Sequence, residues 1–160
     1  MKILRSIVRI SLLLTFFMWG VFYGCSTVPK GPTDSVLTSY VDRFVEDMNF
    51  HPDVMEEFSV NFRTMQVSAN DNRRIIGVCN RYTKHIGIDP TFFYDKNETE
   101  KRKTALIYHE LAHCICYSGH QDTKMEDGCP TTIMHSSLAS NKCLQRHWNH
   151  YKKELYKRCE

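Results

Sequence analysis

Several things this 160-residue chain lacks bound what it can be. None of its seven cysteines forms a C-x-x-C pair, so the paired-thiolate zinc ribbons and knuckles are excluded. There is no internal repeat and no low-complexity tract, which rules out solenoids and biased linker sequences. No stretch reaches the roughly 20 apolar residues that a membrane-spanning helix requires. Net charge is scarce as well. Three of the 21 Lys and Arg (Lys2, Arg5 and Arg9) lie in the first nine residues, and all 18 Asp and Glu come later. The chain beyond the start is therefore balanced, 18 against 18, and no nucleic-acid partner is expected. The late cluster Lys152, Lys153, Lys157 and Arg158 reads as the solvated face of a helix, with cations suited to its C-terminal end.

The basic start leads into an apolar run from Ile10 to Tyr23, broken only by Ser11, Thr15 and Gly20. That length suits the central region of a secretory signal. It closes on Gly24-Cys25, a small residue before a cysteine, which resembles a bacterial lipobox. The expectation is a signal peptide over residues 1–24, with Cys25 lipidated as the new N-terminus and anchored in a membrane; the alternatives are ordinary cleavage or an uncleaved anchor. Ser26, standing where Asp would retain a lipoprotein in the inner membrane, favours the outer one. Residues 25–33, with Pro29, Gly31 and Pro32, form a tether, and residues 34–160 form one domain facing the periplasm or the cell surface. Six cysteines remain: Cys79, Cys114, Cys116, Cys129, Cys143 and Cys159. An even number in an exported domain of this size implies disulfides, and six allow 15 pairings. Cys114 and Cys116 point to different faces of a helix, so their partners must differ.

Periodicity gives the elements. Val36, Leu37, Tyr40, Val41, Phe44, Val45 and Met48 recur at helical spacing, so Ser35 to Met48 is an amphipathic helix capped by Thr33 or Asp34. Phe58, Val60 and Phe62 alternate, as do Met65, Val67 and Ala69, with the parity changing at Arg63-Thr64; this is one bulged strand or two strands with a bend. Asn70 to Arg73 is a turn. Ile75 to Cys79 and Lys84 to Asp89 are further strands, giving a sheet of three or four. Asn97, three residues before Glu100, starts a helix in the manner of a capping box and belongs to Asn97-Glu98-Thr99, which is not read as a glycosylation site. From Ala105 to Tyr117 that helix is almost wholly apolar, so it is central and buried. A last helix from about Asn141 to Arg158 carries Leu144, Trp148, Tyr151 and Leu155 on one stripe. The class is α+β.

The chemistry gathers on the central helix, at His109-Glu110-Leu111-Ala112-His113. Residues four apart share a face, so both imidazoles can address one ion. Glu110, one step along, flanks that ion without binding it and can take a proton from water there. A catalytic zinc wants three protein ligands and an open position. Gly119 is suited to a left-handed helix cap near Ser118, and the reversal it permits returns His120 as third ligand. Asp122, Glu126 and His135 are the competitors. His85, His147 and His150 read as exposed.

Together with Ile133-Met134-His135, the run His109 to His120 resembles the metzincin clan of zinc peptidases. The resemblance covers roughly Ile75 to Ser137. It implies a minimal zincin core in which a small mixed sheet packs on the active-site helix, followed by a methionine turn and a C-terminal helix. Met134 becomes an apolar floor beneath the metal. Three departures stand out. Cys116 occupies the place of the clan's glycine, and His120 falls one residue late, as in a variant group of small bacterial and phage metallopeptidase-like proteins with a HELGHC-like motif. Ser136 replaces the tyrosine of the astacin branch. The implied activity is zinc-dependent hydrolysis of peptide or protein substrates with Glu110 as general base, the substrate adding as a strand near Lys84 to Asp89. The alternatives are a non-catalytic surface lipoprotein that uses zinc for folding and acts by binding, and a zinc hydrolase of a non-peptide amide such as a cell-wall crosslink.

Overall fold

A computed structural model describes residues 33–67 and 74–160. The expected signal, the expected tether up to residue 32 with Cys25, and the expected turn at Asn70 to Arg73 lie outside the described residues. Helix α1 (Ser35–Asp47) begins where Asp34 accepts the Val36 N–H, and it buries Leu37, Tyr40, Val41 and Phe44. A 3₁₀ turn over Pro52–Glu57 leads to strand β1 (Ser59–Phe62); β2 (Gly77–Asn80) and β3 (His85–Ile88) complete the sheet. A short helix α2 (Pro90–Phe93) precedes the long α3 (Glu100–Ile115), and α4 (Asn141–Cys159) closes the chain. The class is α+β, as expected, with a small mixed sheet packed against helices. Among the described residues no helix is long and apolar enough to cross a membrane.

The sheet order is β1-β3-β2, with β1 parallel and β2 antiparallel to β3. This corrects the expectation of a strand near Lys84 to Asp89 open to an added peptide. The strand at Lys84 to Asp89 is the central one, paired on both sides, whereas β2 lies at an edge. Of the second alternation, Met65 and Val67 are described and lie outside any strand, with Val67 in an isolated bridge to Arg74, while Ala69 lies outside the described residues. Alternation over three residues carries too little burial to hold a strand without a neighbour on its ladder.

Helix α3 is central, as its composition requires: Thr104 to Tyr108, Glu110 to Ala112 and Cys114 are all buried. Its start is Thr99, whose hydroxyl accepts the Arg102 N–H, and not Asn97. Asn97 instead folds onto the Asp95 carboxylate through its backbone N–H and side-chain amide, each at 2.9 Å, which holds it in a turn. Three helices meet at Asp47, which accepts from the Tyr108 hydroxyl and from Lys152, each at 2.7 Å. On α4 the stripe Leu144, Tyr151 and Leu155 is buried, with Trp148 partly so.

All six cysteines pair: Cys79 with Cys114, Cys116 with Cys159, and Cys129 with Cys143. As the helix geometry demanded, Cys114 and Cys116 take different partners. One ties β2 to α3 and the other ties the end of α3 to the end of α4. In the chain-entropy account, loops of these lengths contribute about 3–4 kcal/mol each by limiting the unfolded chain.

The buried Asp89 joins the last strand to the segment that enters β2. Its carboxylate caps α2 through the Thr91 and Phe92 N–H groups and accepts from Arg74 at 3.0 and 3.2 Å. Burial pushes its carboxyl up, but these donors together outweigh burial and hold it below the usual carboxylate range. Its contribution to stability is therefore present above the unfolded pKa and is lost as pH falls through the folded one. Asp89→Ala should lower stability in urea unfolding by about 1–3 kcal/mol at pH 7. The deficit should shrink below about pH 4. An equal deficit at both pH values would exclude ionisation of Asp89 as its source.

Candidate metal centre

His109 and His113 project from the same face of α3, and His120 returns to them from the loop beyond. Their three Nε2 atoms converge: His109 to His113 at 2.9 Å, His113 to His120 at 3.0 Å and His109 to His120 at 3.2 Å. The opposite ring nitrogens decide what this cluster is. His109 Nδ1 donates to the Ile133 carbonyl at 2.9 Å, and His113 Nδ1 donates to the Ser118 carbonyl at 2.6 Å. Each neutral imidazole carries one ring proton, and here that proton is on Nδ1, so both Nε2 atoms present bare lone pairs. Lone pairs facing one another at 2.9 Å repel unless a cation lies between them. Zn–N bonds of 2.0–2.1 Å in tetrahedral geometry set nitrogen separations of about 3.3 Å, close to those seen. The three histidines could hold one metal ion.

Protonation favours the same conclusion. Burial pushes His109 down to about 4, against the pull of its bond to Ile133, and neighbouring His113 and His120 add to the effect. Burial also lowers His113, with His120 and Arg81 contributing. Both rings are neutral at pH 7, the form a metal binds.

The site opens into a cleft of about 980 Å³, walled on one side by residues 75–82 and on the other by His135, Ser136, Ser137 and Leu138. Glu110 lines this cleft beside the histidines yet is only 6 % exposed. Burial alone pushes its carboxyl up to about 8, and a cation nearby would act in the opposite direction. Gly77 on β2 leaves room for it. A Cβ at that position would stand 2.5 Å from Glu110 Oε1 and 2.7 Å from its Cγ. Nothing in the periodicity of Ile75 to Cys79 flags that contact, although a glycine inside a strand can signal a close approach.

The fully buried Met134 lies on the turn that carries the carbonyl gripping His109. The Met134 N–H donates to the Thr132 hydroxyl at 3.0 Å, and its carbonyl accepts the Gln121 N–H at 2.9 Å. Thr132 donates in turn to Glu154 on α4, which also holds Arg158. The competitors for the third ligand have other positions. Asp122 accepts the Ser136 N–H at 2.8 Å, His135 Nδ1 accepts the Ser137 N–H at 3.0 Å, and Glu126 lies in an exposed turn outside the cluster. His150 is exposed, as expected. His85 and His147 are instead half-buried, held by the Ser59 hydroxyl and by Asp127, each at 2.8 Å. Asp127, Cys129 and His147 also lie close together, but the Cys129 sulfur is already bonded to Cys143.

The reversal after α3 is not made by Gly119. The helix ends at Ile115, and the left-handed residue is Tyr117, with φ +52°. Arg81 compensates the helix end, donating through Nε to the His113 carbonyl at 2.8 Å and through Nη2 to the Ser118 carbonyl at 3.1 Å. Neither role has a signal in the linear pattern.

The geometry predicts about one metal ion per chain. His109→Ala and His113→Ala should lose most of it in elemental analysis. His120→Ala is the sharper variant, because its ligand is exposed and arrives from a loop. Wild-type metal content and affinity in that variant would exclude His120 from the ligand set. No family model, curated protein or solved structure matches this chain.

Proposed function

We propose that this chain is an exported, lipid-anchored zinc metallopeptidase of metzincin-like design, with zinc held by His109, His113 and His120 and Glu110 as general base. The single observation that carries the reading is three converging Nε2 atoms beside a buried carboxyl in an open cleft. A structural site has no use for a base beside it, nor for a cleft that admits solvent. The donor set also fits the ion: three imidazole nitrogens leave a position open, as catalytic sites do.

When bound, zinc supplies a Lewis acid that polarises a carbonyl and brings the pKa of water toward neutrality. The chain's residues do the rest. Glu110 accepts a proton from the attacking water and passes it to the leaving amine. Its shielded position keeps that proton from exchanging freely with bulk water. His109 and His113 stay oriented through their Nδ1 bonds to Ile133 and Ser118. Met134, fully buried beside the Ile133 carbonyl that orients His109, would supply the apolar floor of the site. The edge strand β2 lines the cleft, so an extended peptide can pair along it, rather than along the central β3. Export is supported by the six paired cysteines, since disulfides persist in oxidising compartments.

Export should leave a mature chain that begins at an acylated Cys25, with Cys25→Ser releasing the domain or blocking processing. Intact Met1 in mass spectra of the cellular protein would exclude it.

The mechanism is tested through the Glu110 carboxylate. Glu110→Gln keeps the shape but cannot accept a proton, and should retain zinc while cleaving peptides about 10² to 10⁴ times more slowly. Gly77→Ala, which crowds the same carboxylate, should lower turnover with the zinc intact. Activities are compared at equal zinc occupancy. Undiminished cleavage by Glu110→Gln would overturn the mechanism. A wild-type protein that binds zinc yet cleaves no peptide would favour the binding lipoprotein.

A further inference from the structure

His113 sits in the last turn of α3, immediately before the chain reverses, and a helix leaves its final carbonyls without partners there. The Ser118 carbonyl carries two bonds. It accepts the His113 Nδ1 proton at 2.6 Å and Arg81 Nη2 at 3.1 Å, while Arg81 Nε holds the carbonyl of His113 itself at 2.8 Å. One guanidinium thus bridges the backbone of a metal-binding residue and the backbone atom that orients its imidazole. The fork is planar and its donors have fixed spacing, so it fixes the separation of the two carbonyls in a way an ammonium cannot. Its guanidinium carbon lies 5.6 Å from the centre of the Tyr117 ring, the left-handed residue of the reversal. Arg81 comes from the turn after β2, the edge strand lining the cleft, and Cys79 two residues earlier is bonded to Cys114 beside His113.

We propose that Arg81 is a positioning residue for the metal: by clamping the His113 and Ser118 carbonyls it fixes the tautomer and rotation of the His113 imidazole. The proposal rests on the metal-site reading. Groups that orient a ligand in this way change metal affinity by about 10–100-fold when removed. A helix cap and nothing more would act differently. It would lower the stability of metal-free and metal-loaded protein alike and leave the affinity of the folded molecule unchanged.

The test is zinc affinity by chelator competition, with thermal unfolding of the metal-free proteins and the absorption spectrum of the cobalt-loaded ones. Arg81→Ala should bind zinc about 10–100-fold more weakly and shift the cobalt ligand-field bands. Arg81→Lys, which restores charge and one donor but not the fork, should fall between it and the wild type. Arg146→Ala, which removes a surface pair with Asp127 at 2.8 Å, should bind as the wild type does. Wild-type affinity in Arg81→Ala would overturn the proposal. If that variant does not fold, wild-type affinity in Arg81→Lys would overturn it. A wild-type protein that binds neither zinc nor cobalt would sink the metal site itself, and the role of Arg81 with it.

Discussion

Two ring protons organise the centre of this molecule: His109 gives its Nδ1 proton to Ile133 and His113 gives its own to Ser118. Each bond turns a bare nitrogen toward the same point, where the His120 Nε2 also arrives. Without a cation that arrangement is repulsive, and buried imidazoles have little freedom to turn away from it. The two carbonyls must therefore be held firmly, and much of the surrounding structure does this. Ile133 belongs to a turn tied through Thr132 to Glu154 on α4. Ser118 lies in a loop gripped by Arg81 and fastened at Cys116 to the end of the same helix.

The three disulfides follow the same logic. A domain of this size buries a limited core, and the cleft removes packing from one side of α3. Cys79–Cys114 and Cys116–Cys159 bind that helix to the edge strand and to α4, next to the site rather than far from it. Cys129–Cys143 closes the segment carrying the methionine turn onto the start of α4. Cross-links that limit the unfolded chain allow a catalytic-type cleft, with its buried carboxyl and crowded histidines, in a fold that would otherwise be marginal.

The long helices and the His109–His113 pair could be read in the chain because both depend on local spacing. His109 and His113 are one turn apart whatever surrounds them, and an all-apolar helix has to be central. Features set by non-local partners could not be read this way. Strand order follows from which ladders form, so the sequence does not reveal that the segment near Lys84 to Asp89, expected to receive a substrate strand, is the middle of the sheet. Gly119 invites a left-handed cap, yet Tyr117 takes it, because Arg81 stacks on that ring and satisfies the carbonyls around the reversal. The spacing to Glu100 points to Asn97 as the cap, yet Thr99 takes that place, because Asp95 captures Asn97 in a turn. Disulfide pairing was legible only as far as the separate fates of Cys114 and Cys116.

Glu110 shows how the proposed chemistry depends on the fold. A carboxyl pushed up to about 8 by burial is a poor anion on its own, and at neutral pH it would hold its proton. A cation among the three histidines favours the ionised form, so the metal that activates water would also ready the base that receives its proton. The same burial that raises the carboxyl's affinity for a proton lets it hold one between attack and departure of the amine. Gly77 sets the limit of that arrangement: β2 approaches closely enough to bury Glu110 only because it carries no side chain there. On this reading the edge strand has two roles at once, shielding the base on one side and offering its free ladder to an extended peptide in the cleft.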